Sequence, residues 1–149
     1  MLSKFVSEII YGGVDGLITT HAIIAGSLGA YFSTKIILTL GFASLLADGF
    51  SMGISSYLAE KARNVRKNPF YVGMVTFLSF IFIGALPLLP FLVDMPYNHE
   101  FSVVILLGVL FLLGFLKGKW KNGLETMMVG GAAAMIAFYS ARNIHKIIN

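Results

Sequence analysis

Two carboxylates lie deep inside apolar sequence, where charge is costly and therefore informative. Asp15 falls within a run from about Ile9 to Phe32, and Asp48 within one from about Ile36 to Leu58. An ionised carboxylate at the centre of a bilayer costs about 2.5–3.5 kcal/mol on insertion scales, so such groups pair, bind a cation or line a pathway. At helical spacing Asp15 shares a face with Gly12, Thr19, Ala22, Gly26 and Gly29, a small and polar stripe that lets another helix come near. On the second run Ser44, Asp48, Met52 and Ser55 follow i, i+4, i+8 and i+11, setting hydroxyl, carboxylate, thioether and hydroxyl along one side. A carboxylate with a thioether suits iron(II), manganese, cobalt or nickel, whereas calcium and magnesium favour oxygen-only shells. Taken alone, Met52 reads first as a lipid-facing or core packing residue, since methionine fills irregular gaps.

Three further groups carry weaker signals. His21 is two positions off the Asp15 face and can serve as a ligand, as a proton relay or as a hydrogen-bond partner for a neighbouring helix. Glu125, near the start of the last apolar run, reads as an acidic residue favoured by a helix N-terminus, or as a metal ligand beside Met127 and Met128. Glu60 stands among bases and is expected to pair at the surface with Arg63 or Arg66.

The elements that position these residues are five apolar spans, expected at about 9–32, 36–58, 70–93, 101–116 and 123–141. Ser33 and Thr34 offer a helix start for the second span, giving a tight hairpin with the first. Pro69 stops any continuation of the second, and Pro87 with Pro90 should break the third near its far end. The fourth span is almost purely aliphatic and aromatic, while Gly130, Gly131 and Ala132 to Ala134 suit the fifth to close packing. Tyr31, Tyr97 and Trp120 sit near span ends, as aromatic residues do at a membrane interface.

Composition supports the same class. The chain of 149 residues is 57% hydrophobic and 12% charged, with mean hydropathy +0.83, against about 25% charge in soluble domains. The expected fold is thus all-α, an integral membrane protein of five transmembrane helices in a single transmembrane domain over 1–149. Five spans leave no room for a soluble catalytic domain. The first apolar run is too long for a removable signal peptide and has no small-residue cleavage site. The net charge of +4 does not mark a nucleic-acid binder, because the bases cluster in short patches at span ends. Without cysteine, thiolate zinc sites and thiol catalysis are excluded. Of the bases, eight fall on the side of Lys4 and of the loops after the second and fourth spans, and three on the other. The positive-inside rule then places the N-terminus in the cytoplasm, and an odd span count places the C-terminus opposite.

The stretch from Ile10 to Thr20, Ile-Tyr-Gly-Gly-Val-Asp-Gly-Leu-Ile-Thr-Thr, followed by Ala25-Gly26, resembles the first helix of the vacuolar iron transporter family. Asp48 to Leu58, Asp-Gly-Phe-Ser-Met-Gly-Ile-Ser-Ser-Tyr-Leu, resembles its second. Leu86 to Phe91 and Gly123-Leu124-Glu125 extend the similarity over nearly the whole chain. The resemblance implies a homodimer of five-helix subunits that moves iron(II) or manganese(II) out of the cytosol in exchange for protons, with the metal as cargo and no permanently bound cofactor. It implies Asp15 as the pathway aspartate and Met52 as the pathway methionine, and so favours the ligand reading of Met52. It also implies a vacuolar or other organellar membrane in a eukaryote and the plasma membrane in a prokaryote.

Two features depart from the plant and fungal pattern. An acidic residue there precedes the methionine by eight positions, where this chain has Ser44, and Asp48 lies one turn later on the same stripe. The glutamate-rich cytoplasmic domain between the second and third helices is also missing, since only a short basic segment separates Leu58 from Phe70. The resemblance is therefore to the short members. Two rival readings are a small membrane assembly subunit that uses its glycine faces for packing alone, and an intramembrane protease with Asp15 and Asp48 as its dyad. The protease reading suffers from Val14 and Ala47 before the two aspartates and from the short chain. The favoured reading is not an enzyme.

Overall fold

The computed structural model describes residues 2–63 and 67–148. After a short 3-10 turn at Leu2–Phe5 come α1 (Val6–Gly29), α2 (Thr34–Arg63) and α3 (Pro69–Gly84). A second 3-10 turn at Leu86–Leu88 leads into α4 (Leu89–Leu92), and α5 (Asn98–Lys117) and α6 (Trp120–Ile148) complete the chain. Among the described residues there is no strand. Five helical segments, with α3 and α4 counted together, are long and apolar enough to cross a membrane. The protein is an all-α integral membrane protein.

The ends of these helices have local causes. α1 stops at Gly29, three residues short of the expected Phe32, because Tyr31 adopts a left-handed conformation with φ of 59°. The Phe32 N–H donates to the Ser27 carbonyl at 2.9 Å and the Tyr31 N–H to the Leu28 carbonyl at 3.1 Å, the paired bonds of a Schellman cap. Glycine usually fills that position, so a tyrosine there gives no sequence signal. α2 begins at Thr34, with the Ser33 carbonyl accepting from Ile37 N–H at 3.1 Å, and it runs past Leu58 to Arg63. α3 starts at Pro69, where the Asn68 side chain accepts from Phe70 N–H at 3.0 Å. Pro87 and Pro90 break the third span as expected, and the Leu88 N–H to Ala85 carbonyl bond, 2.9 Å, closes the turn between its two pieces. α6 extends beyond both ends of the expected 123–141.

α1 is the hub and packs against α2, α3, α5 and α6, whereas α2 leans on α1 and α3, and α6 on α1 and α5. One apolar cluster joins Ile24, Ile37, Leu45, Phe80, Leu88 and Phe91 across α1 to α4. A second, of Leu17, Leu106, Leu110 and Leu113, fixes α5 to α1. Glycine allows a close crossing: a Cβ on Gly84 would lie 2.9 Å from the Gly16 carbonyl, so α1 and α3 meet backbone to backbone. The small stripe on α1 is divided between two neighbours, with Gly12 against Thr76 of α3 and Gly29 against Phe138 of α6.

Candidate functional site

The first half of α1, the last turns of α2 and the first turns of α3 and α6 meet the end of α5 around a cleft of about 980 Å³. Glu8, Tyr11, Asp15, Ser56, Glu60 and Thr76 are among its lining residues. Asp15 lies on the deep side, half-buried, one turn below Tyr11. The glycines flanking its turn explain this placement. Gly12 and Gly16 press against the α3 backbone, and between them Val14 and Asp15 line the cleft.

Asp48 is on the exposed side of α2 and is not among the residues that line the cleft. The Ser44 hydroxyl donates to Asp48 Oδ2 one turn away, as their i, i+4 spacing allows. Met52 is half-buried and packs beside the cluster of Leu45 and Phe80. The ladder Ser44, Asp48, Met52 thus changes environment along its length. Each i+4 step turns about 40° around a helix with 3.6 residues per turn, carrying the stripe from the exposed Asp48 to Met52 beside the core.

The same rotation accounts for a residue that the sequence misplaced. Glu60, two further steps along, is 8% exposed and lines the cleft, instead of pairing at the surface. Among the described residues it makes no ion pair with Arg63, and Arg66 lies outside the described residues. The signal was present in the glycines: Glu60 falls seven residues after Gly53, hence on the face that packs against α3. Glu8, also unmarked in the sequence reading, lines the cleft and is bound to Lys67, whose Nζ lies 2.8 Å from Oε1.

His21 is 4% exposed, and its Nδ1 lies 3.2 Å from Oγ of Ser102, a fully buried residue of α5. It sits beyond Asp15 along α1 and outside the cleft, as a link between helices. Glu125 is exposed and outside the cleft lining, while its neighbour Thr126 takes part. Because α6 begins at Trp120, Glu125 lies past the first turn, where the pull of the helix dipole has faded. Among the described residues no three of His, Asp and Glu converge as a ready-made metal cluster.

A profile of the VIT family matches residues 6–66 and 60–142, together most of the chain. The chain belongs to the VIT family. The two matched segments meet where α2 ends, the place at which the resemblance expected a missing domain. A Toxoplasma gondii protein named vacuolar iron transporter is 26% identical over 91% of this chain and 73% of its own length. That alignment runs over 222 residues against the 149 of this chain, so the relative carries additional sequence within it. Vacuolar iron transporter 1 of Arabidopsis thaliana is 44% identical, and vacuolar iron transporter 2 of Oryza sativa is 42% identical, each over 40% of the chain. The chain spans about a quarter of the length of these two plant proteins, 24% in each case.

Proposed function

We propose that this VIT-family protein carries divalent iron or manganese out of the cytosol across its membrane in exchange for protons, and that it works as a homodimer. The observation that carries the proposal is Asp15, a membrane-embedded carboxylate on the wall of an open cleft. A carboxylate in apolar surroundings keeps a proton or a cation with it. A carboxylate oxygen that holds the metal cannot also keep its proton, so loading the cation expels protons and one site couples two gradients. Met52 adds the soft donor that tilts the choice toward iron(II) or manganese and away from calcium or magnesium.

Direction rests on charge. The Glu8–Lys67 ion pair brings the start of α1 to the segment after α2, and Leu116 and Thr126 place the turn between α5 and α6 at the same end. The basic segments thus gather at the end of the bundle that carries the cleft. The positive-inside rule makes that end cytoplasmic, and the metal enters there. Dimerisation is supported by Asp48 and Met52: among the described residues of one copy no three His, Asp or Glu converge, and an aspartate on an exposed helix face within the membrane needs cover. A second copy related by a two-fold axis supplies both further donors and cover. The membrane is the plasma membrane in a prokaryotic cell and a vacuole or other organelle in a eukaryotic one.

Proteoliposomes test the pathway. The wild-type protein should accumulate iron(II) or manganese(II), and Asp15→Ala should reduce the rate to that of empty vesicles. Wild-type flux in Asp15→Ala would remove Asp15 from the pathway.

A further inference from the structure

Glu8, Asp15 and Glu60 all line the cleft, but their surroundings differ. Glu8 is already satisfied, held by Lys67 Nζ at 2.8 Å and by the Ser7 hydroxyl, which donates to Oε2 at 2.9 Å. Glu60 is more than nine-tenths buried, and among the described residues it has no hydrogen bond and no ion pair. Its carboxylate oxygens are not sealed from solvent, so they open on the cleft without a partner, where a cation can reach them. Arg63 lines the same cleft three residues on, yet its side is exposed, and it makes no ion pair with Glu60. The cleft lining also carries hydroxyls, among them those of Tyr11, Ser55 and Ser56.

We propose that Glu60 captures a divalent cation at the mouth of the cleft, one stage before Asp15, in an oxygen-only site completed by hydroxyls and retained water. The inference deepens the transport reading and rests on it for the direction of travel. Its chemistry differs from that of the inner station. Carboxylate and hydroxyl oxygens bind manganese, iron(II), magnesium and calcium with little discrimination, so Glu60 concentrates divalent ions and leaves selection to Met52. The cleft is large enough for a cation that keeps part of its hydration. The neighbouring guanidinium of Arg63 works against capture and keeps the site weak enough to release its ion inward.

The test uses manganese(II) alone as probe and the full chain in detergent, with loss of the free-ion electron paramagnetic resonance signal reporting binding. Asp15→Asn should still bind manganese, and adding Glu60→Gln to it should weaken binding by at least about tenfold, the loss seen when even an outer partner of a metal ligand is removed. In proteoliposomes Glu60→Gln should raise the KM for manganese several-fold while leaving the maximal rate close to wild type, whereas Asp15→Asn should abolish the rate. Arg63→Gln offers a second reading that does not depend on the fold of the Glu60 variant, and it should tighten binding. Unchanged binding in Glu60→Gln on the Asp15→Asn background, or in Arg63→Gln, would overturn the proposal. If manganese binding depends on Glu60 but the wild-type protein moves no metal, the capture site stands and the transport reading falls.

Discussion

In the proposed pathway Met52 serves two purposes. It packs beside Leu45 and Phe80 and follows Asp48 by one turn, so its thioether is held by the core and presented on the ligand stripe. Leucine conserves the volume and removes the sulfur, at a cost in stability under about 1.5 kcal/mol. Met52→Leu should therefore fold and elute as wild type while iron(II) flux in vesicles falls by about tenfold or more, as expected on losing a ligand of a transition metal. Equal flux in the two proteins would return Met52 to packing alone. The residue scale was also where sequence was least informative. Asp15 and Asp48 stood out because apolar neighbours exposed them, but Glu60 was hidden among Lys61, Arg63 and Lys67 and looked like a surface residue. Only the direction of the α2 glycine face, which depends on where α3 lies, turns it into the cleft.

At the scale of elements, the crossing of α1 and α3 positions Asp15. A side chain on Gly84 would meet the Gly16 backbone at 2.9 Å, and backbone cannot rotate away. Gly84→Val should cost about 1–3 kcal/mol, as overpacking of a filled interface does, and lower the thermal midpoint in detergent by several degrees. Gly108→Ala is the matched control, since nothing lies within 4 Å of a Cβ there, and alanine favours the helix by up to about 1 kcal/mol. A Gly84→Val protein as stable as Gly108→Ala would show that the two helices are not in close contact. The spans themselves were legible because hydrocarbon demands runs of about 20 apolar residues, and Pro87 with Pro90 announced the break between α3 and α4. The ends were less so. α1 stops early through the left-handed Tyr31, and α6 reaches from Trp120 to Ile148 because a helix continues through polar residues once it leaves the apolar layer.

For the whole molecule, the proposed orientation and the proposed homodimer both rest on the placement of charge. Asp48 on an exposed face of α2 leaves a carboxylate on a surface unsuited to lipid. A two-fold related copy resolves this, so the detergent-solubilised protein should have about twice the 16.2 kDa mass of one chain when light scattering is corrected for bound detergent. A mass of one chain, with metal flux intact, would place the whole pathway within a single subunit.

The central claim is that one carboxylate site exchanges metal for protons, and simultaneous recording of both ions tests it most directly. Proteoliposomes loaded with a pH-sensitive dye and a metal indicator, given manganese(II) outside, should show metal entering as protons leave. An acidic lumen should accelerate entry, and both signals should vanish together in Asp15→Ala. Metal entry that proceeds at the same rate with the proton gradient collapsed, or that survives in Asp15→Ala, would contradict the account.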